Sequence, residues 1–181
     1  MSMSHPVPAA SPRLAAGAFA VLALLWLLLL LVAPYLVSHS APGSALFNTG
    51  GLVYVAGHVV CHQRADRSFH AWGVQLPVCA RCFGLYAAAV FGSLVAVRQP
   101  VAGRRRAFGV GAEPASARHW PRRLALAALP TAASVALEVG GVWGQSPEVR
   151  CAAAIPLGFT VGWFVAAHLP QVLSQPRKGL S

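Results

Sequence analysis

Four long apolar runs, separated by charged or turn-rich segments, dominate the chain. Ala15 to Val37 gives 23 residues without a charge, enough for a helix to cross a hydrocarbon core of about 30 Å. A cleaved signal peptide has an apolar region of only about 7–15 residues. The length of this run and its Leu27–Leu31 core therefore favour a retained span. Arg81 and Arg98 bracket a second run of 16 uncharged residues, Cys82 to Val97. It is short, but arginines at both ends can snorkel to the interfaces. A third run follows Arg123 to about Gly141 and is interrupted by Glu138. A fourth extends from Cys151 to about Leu169 and contains Pro156.

A fifth stretch, Ser44 to Val60, has 17 residues and holds Gly50, Gly51 and Gly57. Leu52, Val55, Ala56 and Val59 share one helical face. Length does not decide whether it spans, but charge does. Lys and Arg near span ends mark the cytoplasmic side. With four spans and an inside N-terminus, ten of the fourteen basic residues fall inside, against Glu113. Four fall outside, against Asp66, Glu138 and Glu148. A fifth span would put Arg13 opposite the basic loop and tail. The stretch therefore reads as an interfacial or re-entrant helix on the outer face.

The expected architecture is an all-α polytopic membrane bundle in one domain. Residues 1–14 are a cytoplasmic N-terminal segment, and 15–37 the first span. Residues 44–62 form the outer-face helix, 79–97 the second span and 98–123 a cytoplasmic basic loop. Residues 124–141 and 151–169 are the third and fourth spans, and 170–181 a cytoplasmic tail. The expected location is the plasma (inner) membrane.

Composition agrees. The chain has 181 residues, is 56% hydrophobic and 10% charged, and carries a formal net charge of +10. Soluble domains are roughly 25% charged. Disorder is excluded by the apolar content. Four cysteines are too few for a disulfide scaffold. A soluble nucleic-acid binder would need a polar surface that this chain lacks, so no nucleic-acid partner is expected. The lipid bilayer is the expected partner, and the basic loop can touch anionic headgroups.

Candidate chemistry concentrates between His58 and Gly84, where three of the four cysteines lie. Cys79 and Cys82 form a C-x-x-C pair, a spacing that lets two thiolates meet one ion. Cys61, His62 or His58 could complete a tetrahedral site. If the 44–62 helix holds, His58 and His62 stand at i, i+4 on one face. Zinc is the default ion for mixed N/S ligands. A second reading is thiol–disulfide exchange. Cys79 lies near the N-terminus of the second span, where a thiol's pKa is lowered. Arg81 adds positive charge, and Cys61 could relay. No thioredoxin-like βαβ pattern accompanies the pair. A third reading is structural, with the cysteines stapling the outer loop or packing as small apolar residues of a structural or lipid-binding protein.

Glu138 stands 15 positions past Arg123, about 22 Å along a helix, near the outer end of the third span. An acid inside a span calls for a named partner. Arg81 and Arg150 are the candidates, and Glu138 joins Cys79 and Cys82 as a catalytic candidate. Cys151 opens the fourth span at the same level, as a further ligand or a core cysteine. Arg64 and Arg67 flank Asp66 and could bind a lipid phosphate or another anion, or form a solvated ion pair. His70 and Trp72 suit the interface. His39, His119 and His168 carry no assigned role. Gly84, Ala88 and Gly92, and Gly158 with Gly162, permit close helix approach. That approach could be within one chain or in a homodimer. The sequence holds no internal repeat, phosphate-binding P-loop or nucleophile elbow.

The residues Cys61-His62-Gln63, Arg67-Ser68-Phe69 and Pro77-Val78-Cys79-Ala80-Arg81-Cys82-Phe83-Gly84-Leu85-Tyr86 resemble the signature of the prokaryotic membrane proteins grouped as domain of unknown function 2085. The likeness covers Cys61 to Tyr86 closely. Further on, the family carries an acid followed by Gly, then a Gln and a Ser-to-Arg segment. Glu138, Gly140, Gln145, Ser146 and Arg150 correspond, with Glu138-Val139 where Asp-Gly is usual. The resemblance implies a multi-pass membrane protein with a cysteine/histidine site, and no particular reaction.

Overall fold

The structure is a computed structural model and describes residues 12–99, 119–142, 144 and 146–174. Gln145, most of the basic loop and the outermost segments at both termini lie outside the described residues. The described residues form a mostly helical protein. Helix α1 is Pro12–His39, α2 Ala45–Val60, α3 Ala80–Arg98, α4 His119–Val139 and α5 Pro147–Ser174. Helices α1, α3 and α5 are long and apolar enough to cross a membrane, over Arg13–His39, Ala80–Arg98 and Pro147–His168. Helix α4 carries Arg122 and Arg123 at one end and Glu138 at the other, which shortens its uncharged middle.

The Ser44 hydroxyl caps α2 by accepting from the Phe47 N–H at 3.2 Å, which satisfies one of the helix's orphan donors. At its other end α2 stops at Val60, because Cys61 is extended (φ −149°, ψ 138°). This corrects the expectation of a helix through residue 62. The face that His58 and His62 would have shared does not form.

Helix directions follow from the contacts. Trp26 of α1 meets Tyr86 of α3 edge-on, with ring centroids 6.1 Å apart. Phe19 packs near Ala96, so α1 and α3 are antiparallel. Gly84 faces Cys151, and Gly92 faces Phe159 and Trp163, so α3 and α5 are parallel. The Thr131 hydroxyl of α4 donates to the Ala153 carbonyl at 2.8 Å. Trp120 stacks on Phe164 at 3.8 Å, which makes α4 antiparallel to α5. Helix α2 turns back along the second half of α1, where Gly50 abuts Ala33, Leu36 and Val37. Cys61, Cys79, Glu138 and Arg150 thereby gather at one end of the bundle.

The two small-residue stripes meet each other within one chain. A side chain at Gly84, Gly92, Gly158 or Gly162 would run into the backbone of the opposing helix. Only glycine allows so close an approach. Around this seam, Leu30, Ala33, Val53, Cys61 and Val78 form one buried cluster. Ala96, Trp163, Ala166 and Ala167 form another. Large apolar side chains also point outward, among them Leu22, Leu25, Leu52, Phe91 and Leu129. Such a surface suits a solvent as apolar as itself.

Candidate functional site

The segment between α2 and α3 brings distant cysteines together. After Cys61 the chain adopts a left-handed conformation at Gln63 (φ 49°). The Gln63 side-chain amide then donates to two carbonyls, Tyr54 at 2.6 Å and Pro77 at 2.7 Å. One side chain thus ties the last turns of α2 to the approach of α3. The Gln75 amide returns a bond to the Gln63 carbonyl at 3.1 Å. Between them a short hairpin pairs His70 with Gln75 and Ala71 with Val74. Its two-residue turn, Trp72-Gly73, has positive φ at both positions (53° and 76°), as a type I′ turn requires.

Held this way, Cys61 meets the N-terminus of α3. The Cys79 N–H donates to the Cys61 thiol at 3.2 Å. The ligand atoms of Cys61, Cys79 and Cys82 all lie within 4.8 Å of one another. Cys61 is buried, the other two are half-buried, and all four cysteines of the chain are free thiols. The Cys79 thiol, at the cap position just before α3, is held below its ordinary value. The main cause is the hydrogen bond from the neighbouring Cys82 thiol, with burial opposing it. A tetrahedral ion with Zn–S bonds of about 2.3 Å keeps its sulfurs about 3.8 Å apart. Small rotations of these side chains would meet that separation.

A second constellation adjoins the first. Glu138, near the end of α4, accepts from Arg81 of α3, in the turn that also carries Cys82. It also receives a two-point contact from Arg150 of α5, at 3.2 and 3.3 Å. Arg67 completes the set with Nε 3.0 Å from Oε1. The side chains of Glu138 and Arg150 are only 10% and 8% exposed, so this is an interior charge cluster. Arg150 also donates to the Asp66 carbonyl at 3.1 Å, which anchors the loop to α5. Arg81 reaches the Ser134 hydroxyl at 3.1 Å. Asp66 pairs with Arg64 at the rim, and the Arg64 guanidinium holds its carboxyl below the usual range.

Both constellations line one cavity of about 400 Å³. Its walls include Cys61, His62, Cys79 and Cys82 together with Arg64, Arg67, Arg81 and Arg150. His62 is therefore beside the thiols without belonging to their group. His58 sits exposed on α2, away from this wall. Cys151 packs its backbone against Gly84 and does not join the three thiols. Sequence reasoning missed two positioning residues. Gln63 was visible only as part of the Cys-His-Gln motif. Ser134 stands one helical turn before Glu138, a spacing that shares a face.

A family model described as "Predicted membrane protein (DUF2085)" matches residues 61–164, the part that contains both constellations. The chain is also similar to "Uncharacterized protein MJ1492" of Methanocaldococcus jannaschii, at 27% identity over 113 residues. The aligned part is 62% of this chain and 65% of that protein's length. No solved structure matches.

Proposed function

We propose that this chain, which belongs to the DUF2085 family of predicted membrane proteins, is a metal-binding protein of the plasma membrane, with Cys61, Cys79 and Cys82 holding a zinc ion. The observation that carries the reading is the convergence of three thiols from two segments to within 4.8 Å. Thiolate is the donor that zinc prefers in structural and mixed sites. His62 stands at the cavity wall as the nearest candidate for a fourth ligand. The ion would supply Lewis acidity or a rigid crosslink. The chain's own residues hold the thiols in place through Gln63 and keep the α3 end fixed to α4 and α5 through Arg81, Glu138 and Arg150.

Four crossings, by α1, α3, α4 and α5, fit the alternating helix directions. They put both termini on one side and the thiols toward the other; the charge asymmetry of the loops supports the cytoplasm as the side of the termini. Helix α2 then re-enters beside α1, because it descends along that helix. Its 16 residues reach about 24 Å, short of a hydrocarbon core.

A second reading, thiol exchange by Cys79 and Cys82, is favoured by the lowered Cys79 thiol and the free state of all cysteines. Metal analysis with thiol counting on the purified full chain separates the two. About one zinc per chain, lost in Cys79→Ser and in Cys61→Ser, is expected. A metal-free protein with a reversibly reducible Cys79–Cys82 bond would overturn the zinc reading and leave exchange. In a separate measurement on whole spheroplasts treated with a chelator, an impermeant maleimide should reach the thiols. Labelling only after lysis would invert the sidedness.

A further inference from the structure

The cavity beside the thiols holds more positive charge than its own acids match. Arg67, Arg81 and Arg150 converge on one carboxylate, Glu138. Both oxygens of that carboxylate are already engaged. Asp66 is 58% exposed and pairs with Arg64 at the rim. Three guanidiniums against one carboxylate leave an excess of two charges in a region with little water. Buried charge is normally matched, because desolvation penalises the unpaired ion. A zinc ion on three thiolates would add one negative charge nearby and still leave the arginines in excess.

Donor capacity is unspent as well. The Nε of Arg81 is buried without a hydrogen-bond partner among the described residues, whereas the Nε of Arg67 is held by the Glu138 carboxylate. Each guanidinium carries five N–H groups in a fork that suits tetrahedral oxyanions. The cavity, about 400 Å³, falls within the size range of small-ligand pockets. One of its walls is Val60, which continues the exposed apolar row of Val55 and Val59 on α2. The arginines therefore lie close to a surface that lipid would cover.

We infer that this cavity binds a terminal phosphate group on Arg67, Arg81 and Arg150, supplied either by free phosphate or by a lipid with a phosphomonoester head. A monoester carries about −1.5 to −2 charges near pH 7, which neutralises the excess of two in the metal-free site and more than covers the single charge left beside a zinc–thiolate site. A carboxylate or a phosphodiester brings one. The inference stands apart from the zinc reading, since it uses the arginines and not the thiols.

The test is thermal unfolding of the full chain in an uncharged detergent, with zinc loaded and again after chelation. The probes are inorganic phosphate and dioleoyl phosphatidic acid. Potassium chloride at matched ionic strength and dioleoyl phosphatidylcholine are the controls. A rise in Tm with both probes, or with phosphatidic acid alone, identifies the lipid head as sufficient. A rise with inorganic phosphate alone identifies the free ion. Arg67→Gln, at a partly exposed position that leaves Arg81 and Arg150 on Glu138, should weaken the apparent affinity about tenfold with zinc content unchanged. No rise beyond the controls overturns the inference, and so does a rise that Arg67→Gln leaves intact. Failure of the chain to take up zinc at all, with the phosphate effect intact, would fell the metal reading alone.

Discussion

The α3–α5 seam and the polar end of the same two helices hold together by opposite means. Along the seam, Gly84, Gly92, Gly158 and Gly162 remove side chains so that backbones touch. The attraction there is dispersion over a continuous close surface. At the polar end, Arg81 and Arg150 reach from α3 and α5 to Glu138 of α4. The attraction there is Coulombic, over a few atoms with little water between. The seam tolerates no added volume, whereas the charge cluster depends on the one carboxylate that its arginines share, Glu138. One region sets how close the helices stand, and the other sets which helix faces which.

Three substitutions probe that contrast, from the largest effect to the smallest. Glu138→Gln removes the carboxylate that Arg67, Arg81 and Arg150 share, two of these arginines being largely buried. Breaking an interior pair by deleting one partner costs about 3–5 kcal/mol. The expected outcome is a sharply lower Tm in detergent. A change of a degree or two would mean that water already screens the cluster. Gly162→Ile drives a branched side chain into the Ala89 backbone. Overpacking costs about 1–3 kcal/mol and sometimes more, while zinc content should survive in the folded fraction. A wild-type Tm would show that the helices can separate freely, and the seam would lose its assigned role. Arg64→Gln touches only the rim pair with Asp66, both side chains 58% exposed. An exposed pair contributes about 0–1 kcal/mol, so its Tm should match wild type and fall further behind only at low salt.

Much of this was legible in the sequence, for physical reasons that differ by residue. Cys79 and Cys82 announce themselves because one helical turn brings i and i+3 together. Glu138 could be matched to Arg81 and Arg150 because rise per residue fixes depth along a helix. The glycine stripes marked close packing. Whether they serve one chain or two depended on the pairing of distant segments, and only the structure resolves that they face each other. Arg67 was harder. Beside Asp66 it looked like half of a surface pair, and its Nε does lie 3.6 Å from that carboxylate. It turns inward to Glu138 because the Gln63 clamp and the 3-10 turn at Ala65–Arg67 redirect the loop, and neither leaves a periodic pattern. The end of α2 was hidden for a similar reason. Val-Val-Cys-His carries no helix stop signal, and the extended Cys61 is imposed by its contact with Cys79.

The parallel pairing of α3 with α5 also governs the order in which the molecule can be built. Gly84 and Cys151 are 67 positions apart in the chain, with all of α4 between them. While the ribosome is still making α4, the glycine furrow of α3 has no occupant. Arg81 gains its final partner only when Glu138 arrives. Arg150, needed to complete the cluster, emerges later still. The seam must therefore close last. Until then the nascent chain carries a cation and a bare furrow that the translocon or a membrane chaperone would have to shelter, so biogenesis is the stage at which this bundle is most exposed to failure.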